Sequence, residues 1–275
     1  MAIVSAQRRF TRTRMALCAL LLASVAGMAD AAICEKSVRW KDDAPYTFRS
    51  KDGSIRGIYA DLVQEALERL ECKTQFVEMP WARALVELEA GRLDILPGAL
   101  KTAERERFAY FSRAVNRSPN VLFIGTAASK RFQIAALKDL LSTDFRLGAQ
   151  IKVSYGPDYD TLMANEAFAR KVTFISDRRG AWRMIAADRI DGLIADETTG
   201  RIEIHELGLD QAIAKSSVVV SNEASMVALS KATIDPDFVT RFNRAIETML
   251  EDGSYVRIIE RYIPCRASKE TLGCK

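Results

Sequence analysis

Histidine is almost missing from this chain: His205 is the only one in 275 residues. A single imidazole argues against a histidine-based metal centre, and it makes Ser-His and Cys-His nucleophile pairs hard to build. No run of lysine and arginine forms a basic patch, so nucleic acid and anionic membrane surfaces are not indicated as partners. A long apolar run is missing too. Residues 15–26 are apolar but stop well short of the roughly 20 that a spanning helix needs.

That short run is the centre of a three-part secretory signal. Arg8, Arg9, Arg12 and Arg14 precede it, and Ala29-Asp30-Ala31 supplies small residues for cleavage. A leader over residues 1–31 is therefore expected, with an uncleaved anchor as the alternative. Neither Cys18 nor Cys34 follows the small residue that a lipid-attachment site wants. The expected product is a soluble exported protein starting at Ala32. Losing the leader removes four arginines and Asp30 from 40 basic and 36 acidic residues, which leaves the mature chain close to neutral.

Cysteine is scarce, five in all, and one lies in the leader. The remaining four, Cys34, Cys72, Cys265 and Cys274, are an even number in an exported chain and predict two disulfides, Cys34 with Cys72 and Cys265 with Cys274. A metal site is the alternative, but the spacings are not those of a zinc knuckle. No metal and no cofactor is expected.

Present instead is an alternation of strand and helix patterns. Residues 37–40 predict a strand, 57–71 a helix with Ile58, Leu62, Val63, Ala66, Leu67 and Leu70 on one face, and 73–79 a strand. Pro80 precedes a helix over 81–90 that Gly91 ends, and 93–96 is a third strand. The order predicts an α/β fold with parallel, helix-covered strands, the second lying beside the first. That placement would bring Cys34 near Cys72. The pattern then repeats: strand 145–150, helix from 157, strand 171–175, helix 180–188, strand 190–195. Residues 91–96, GRLDIL, are echoed by residues 188–193, DRIDGL.

Two doubly wound lobes follow from the repeat, with the helical tail 237–263 packed back on the first. The expected division is 32–124 and 221–275 for lobe 1 and 125–220 for lobe 2, joined by a two-crossing hinge near 124–129 and 216–222. Ligands of open α/β sheets sit beyond the carboxyl ends of the strands. Arg105 follows the third strand of one lobe and Asp196 that of the other, so a cation and a carboxylate would face each other across a cleft. Such a cleft is complementary to a zwitterion. Thr102 reads as the N-cap of the turn that aims Arg105, while Arg107 reads as a solvated residue. Trp40, Tyr46 and Trp81 are candidate aromatic walls, with ordinary core as the alternative for each, and Trp182 reads as core.

The ordered motifs Ala44-Pro45-Tyr46-Thr47-Phe48, Gly57-Ile58-Tyr59-Ala60-Asp61-Leu62, Gly91-Arg92-Leu93-Asp94, Thr102-Ala103-Glu104-Arg105, Ile190-Asp191-Gly192 and Leu250-Glu251-Asp252-Gly253 resemble the family 3 solute-binding proteins. These are type II periplasmic receptors of polar amino-acid ABC importers. The resemblance implies that Arg105 clamps the ligand's α-carboxylate and Asp196 its α-ammonium. It also implies that Ser154 adds a carboxylate contact and that the loop from Gly98 lines the site. A small-molecule ligand, an amino acid, and an inner-membrane permease are the implied partners, with the protein a monomer and not an enzyme. Leu100 and Asp43 depart from the pattern, and both bear on the ligand's side chain. The alternatives are a dehydratase of the cyclohexadienyl type on the same scaffold and a ligand-sensing receptor for a membrane kinase.

Overall fold

A computed structural model describes residues 34–264 and 266–274. The expected leader and Cys265 lie outside the described residues, and so does the expected Cys265–Cys274 pairing. Cys34 and Cys72 are joined by a disulfide.

The first lobe opens with β1 (Glu35–Trp40), α1 (Ile58–Glu68), β2 (Lys73–Glu78), α2 (Trp81–Glu89) and β3 (Ile95–Ala99), followed by the short α3 (Ala103–Glu106) and β4 (Ala109–Phe111). The second lobe comprises β5 (Asn120–Gly125), β6 (Leu147–Gln150), α4 (Pro157–Met163), β7 (Val172–Ile175), α5 (Arg178–Ala186), β8 (Gly192–Asp196), α6 (Glu197–Glu206) and β9 (Ile213–Ser221). The chain then returns through β10 (Ala224–Ser230), α7 (Pro236–Glu251) and α8 (Ser254–Tyr262) to the first lobe.

The two sheets have the same plan. In lobe 1 the order is β2-β1-β3-β10-β4, and in lobe 2 it is β7-β6-β8-β5-β9. In each, the second strand lies parallel beside the first and the third lies on its other side, with an antiparallel strand next to the third. The apolar face of α1 is buried as its spacing requires, through Ile58, Leu62, Val63, Ala66 and Leu67. The tail helices α7 and α8 pack on α1, with Phe238, Phe242, Ile246 and Met249 buried. Each such apolar side chain contributes roughly 1.5–3 kcal/mol on leaving water.

One boundary differs from expectation. The run 120–124 is expected in lobe 1, but β5 pairs antiparallel with β8 and β9 and is a central strand of the second sheet. Hydrophobicity marks Val121, Leu122, Phe123 and Ile124 as buried without saying in which sheet. The first crossing therefore falls between Arg117 and Asn120 and the second between Ser221 and Ala224. At the hinge the two passages touch: Asn116 and Arg117 pair with Ser225 and Ala224, and the Arg117 guanidinium donates to the Asn222 carbonyl at 2.5 Å.

The sequence echo has a structural meaning. Gly91 and Asp188 both adopt positive φ, 70° and 53°, where helix gives way to the third strand. Three residues on, Asp94 accepts the backbone N–H and the hydroxyl of Ser37 at 2.8 Å, and Asp191 accepts the backbone N–H of Arg146 at 2.7 Å. In each lobe this aspartate ties the entry of the third strand to the first.

Candidate functional site

Between the lobes lies a cavity of about 150 Å³ lined from both sides. Its basic pole comes from the exit of β3. Gly98 turns there with φ 79°, and a Cβ at this position would stand 2.7 Å from the Tyr59 ring, so both backbone and packing demand glycine. Thr102 then caps the four-residue α3 by accepting from the Arg105 N–H at 3.3 Å. The Arg105 side chain enters the cavity, donating from Nη1 to the Leu100 carbonyl at 2.7 Å and from Nη2 to the Lys152 carbonyl of the other lobe at 3.0 Å. It packs 5.7 Å from the Trp81 ring, whose Nε1 donates to the same Lys152 carbonyl at 3.1 Å. Arg105 is 6% exposed, and among the described residues no carboxylate lies within ion-pair distance. Burial pulls its pKa below the ordinary arginine value, against the more distant Glu104 and Asp160. The guanidinium remains a cation without a counter-ion, and leaving such a charge unpaired is costly. Arg107, by contrast, is exposed as expected.

The acidic pole comes from the exit of β8. Asp196 caps α6 by accepting from the Thr199 N–H at 2.9 Å, and the Tyr46 hydroxyl of lobe 1 donates to its two oxygens at 3.3 and 3.2 Å. Burial pushes the Asp196 pKa above the usual carboxylate range, and the Ser118 hydroxyl and Thr199 N–H pull the other way. Tyr46 stacks on Tyr59 with centroids 4.7 Å apart, and the Tyr59 hydroxyl lies 2.7 Å from Ser225 Oγ. Thr199 Oγ1 lines the cavity, buried and without a hydrogen-bond partner.

Six of the residues expected at the site line this cavity: Gly98, Arg105, Asp196, Ser154, Tyr46 and Trp81. Two do not. Thr102 acts from behind as the cap, and Trp40, though buried, lies under the Arg49 guanidinium at 4.8 Å outside the cavity. Successive strand residues point to opposite faces, and it is the neighbouring Arg39 that reaches the cavity.

Arg39 and Arg178 were missed by sequence reasoning. Arg39 is 8% exposed and donates from Nε to the Met79 carbonyl at 3.1 Å. A charged residue between Val38 and Trp40 in a buried strand was the available signal. Arg178 opens α5 after the N-cap Asp177, as Trp81 opens α2 after Pro80. The repeat thus marks it as the lobe 2 counterpart of a cavity residue. Departing residues also meet here, since Leu100 lines the cavity and Asp43 accepts from Arg178 Nη2 at 2.6 Å across the cleft.

The chain matches the bacterial extracellular solute-binding proteins, family 3, over residues 38–264. It is 27% identical over 260 residues to the lysine/arginine/ornithine-binding periplasmic protein of Escherichia coli K12, covering 90% of this chain and 95% of that one. Among solved structures, a histidine kinase sensor domain with similarity to periplasmic binding proteins superposes with a TM-score of 0.73 at 18% identity, covering 85% of this chain and 97% of the other. A histidine-bound substrate-binding protein of an ABC uptake transporter from Streptococcus pneumoniae gives 0.71 at 23% identity, covering 86% and 94%. The last two likenesses concern the fold.

Proposed function

Since the chain belongs to family 3 of the bacterial extracellular solute-binding proteins, we propose that it captures a small zwitterion, an amino acid, between its lobes and delivers it to an ABC importer. The observation that carries this reading is the pair of opposite charges in one cavity, the buried Arg105 from lobe 1 and the part-buried Asp196 from lobe 2. A guanidinium offers two parallel donors to a planar carboxylate, and a buried carboxylate receives an ammonium. Each charge on the ligand relieves a charge that burial disfavours in the protein. The α-carboxylate belongs at Arg105 with Ser154 nearby, and the α-ammonium at Asp196 with the Thr199 hydroxyl. Tyr46 and Trp81 form the walls.

The relative from Escherichia coli supports a periplasmic location and amino acids as the ligand class. A binding role has more support than dehydratase activity. His205 is on the surface with 82% of its side chain exposed, beside Asp210, and both Cys34 and Cys72 are oxidised. The likeness to a kinase sensor domain keeps a signalling partner as the second reading. Pull-down of membrane partners separates a permease from a kinase.

Thermal unfolding against the common amino acids tests the ligand class. A ligand at 100 times its Kd stabilises the fold by roughly 2.7 kcal/mol, a shift of several degrees. The expected result is a shift with one class of amino acid in the wild type and none in Arg105→Ala. No shift with any amino acid would remove the reading.

A further inference from the structure

A second, larger cavity of about 420 Å³ opens between the lobes next to the first. The two share Arg39, Asp43, Trp81, Gln150 and Arg178, so these residues form the partition. Its centre is the Arg178 guanidinium, with every nitrogen engaged. Nε donates to Glu203 Oε2 at 2.7 Å, Nη2 to Glu203 Oε1 at 2.9 Å and to Asp43 Oδ1 at 2.6 Å, and Nη1 to Gln150 Oε1 at 3.3 Å. Glu203 is fixed in turn by the Trp182 Nε1 donor at 2.7 Å, inside the lobe 2 core. The group is thus anchored in one lobe and completed by Asp43 of the other.

We propose that the Asp43–Arg178 pair is the end wall of the ligand cavity and restricts the ligand to a zwitterion with a short side chain that carries no positive charge. This rests on the zwitterion reading above. Two properties of the wall carry it. The first is size: a cavity of about 150 Å³ holds a guest like benzene, with about six heavy atoms, whereas arginine has about twice that number. The second is charge. Asp43 and Glu203 are both held by Arg178, so neither carboxylate is free for a cationic side chain. A cationic side chain pushed against the wall would have to compete with Arg178 for Asp43.

The test is calorimetric titration of the purified chain, freed of bound ligand by unfolding and refolding. Wild type and Asp43→Ala are each titrated with alanine, serine, threonine, lysine and arginine. Wild type is expected to bind the short neutral group at least tenfold more tightly than lysine or arginine. Asp43→Ala joins the two cavities and is expected to lower that ratio by tenfold or more. Asp43 sits on a loop with 30% of its side chain exposed, and Asp43→Asn, which keeps the shape, provides a second variant should the alanine form fail to fold. Wild type binding lysine or arginine as tightly as alanine would overturn the wall and leave the zwitterion reading standing. An unchanged ratio in both variants would also overturn it. Binding of none of the five would overturn both.

Discussion

The two lobes share a sheet order and the joint that enters the third strand, yet their third strands leave differently. Asp94 and Asp191 perform the same task on both sides, tying third strand to first through a backbone N–H. Near its end β3 turns through Gly98, and the helix waits until Thr102, which brings Arg105 into the cleft one helical turn later. After β8 the helix begins at once, with Asp196 itself as the cap. One scaffold thus presents a cation from one wall and a carboxylate from the other. On the proposed reading, the joints into the strands maintain the fold, while the joints out of them choose the ligand.

That division predicts that exit variants lose binding and entry variants lose stability. The largest effect belongs to Arg105→Ala. Removing a bidentate, charge-assisted contact costs about 3 kcal/mol, so titration should show affinity falling roughly 100-fold or more. Arg105→Lys restores little of it, because an ammonium is not a planar fork.

Asp196→Asn comes next, with affinity expected to fall by at least about tenfold through loss of the ammonium partner. Its stability should move the other way. The pKa of Asp196 is raised by burial, so its contribution is fully present below the ordinary carboxylate value of about 4 and is lost as pH rises through the higher native value. Asparagine still caps α6 and still accepts from Tyr46. Chemical unfolding without ligand should therefore show the variant gaining on wild type as pH rises from about 4 to 7. A variant less stable than wild type across that range would assign Asp196 to the fold rather than to the ligand.

Entry variants provide the matched comparison. Asp94→Ala and Asp191→Ala each strand a part-buried backbone donor, and each should cost about 2 kcal/mol, lowering Tm by roughly 4–8 °C. Asp191 also holds Arg146 and Arg131 at 2.8 and 2.5 Å, so its loss should be the larger of the two. The smallest effect is that of Thr102→Ala, about 1 kcal/mol from a lost cap, seen as a Tm lower by roughly 2–4 °C with a few-fold weaker affinity.

Much of this was legible in the sequence because it rests on local patterns. Periodicity located the strands and helices of both βαβαβ runs, the GRLDIL and DRIDGL echo paired their joints, and the echo pointed to Arg105 and Asp196. Less legible was whatever depends on long-range pairing. The run 120–125 reads as buried, but its antiparallel place beside β8 is set by a partner some seventy residues away. Trp40 and Arg39 exchange roles because the side-chain alternation of β1 decides which one faces the cleft. Arg178 lies at the same place in its lobe as Trp81 does in the other, and the repeat could have found it had the echo been followed back from the third strand to the start of the second helix.

The central claim is that both charges of a zwitterion are read at once, one by each lobe. The direct measurement is calorimetric titration of wild type with its best-binding amino acid, with the deaminated acid of the same side chain and with the decarboxylated amine. The account predicts that each half-ligand binds at least about tenfold more weakly than the whole, and that Asp196→Asn no longer separates the amino acid from the deaminated acid. A deaminated acid that binds wild type as tightly as the amino acid would contradict it.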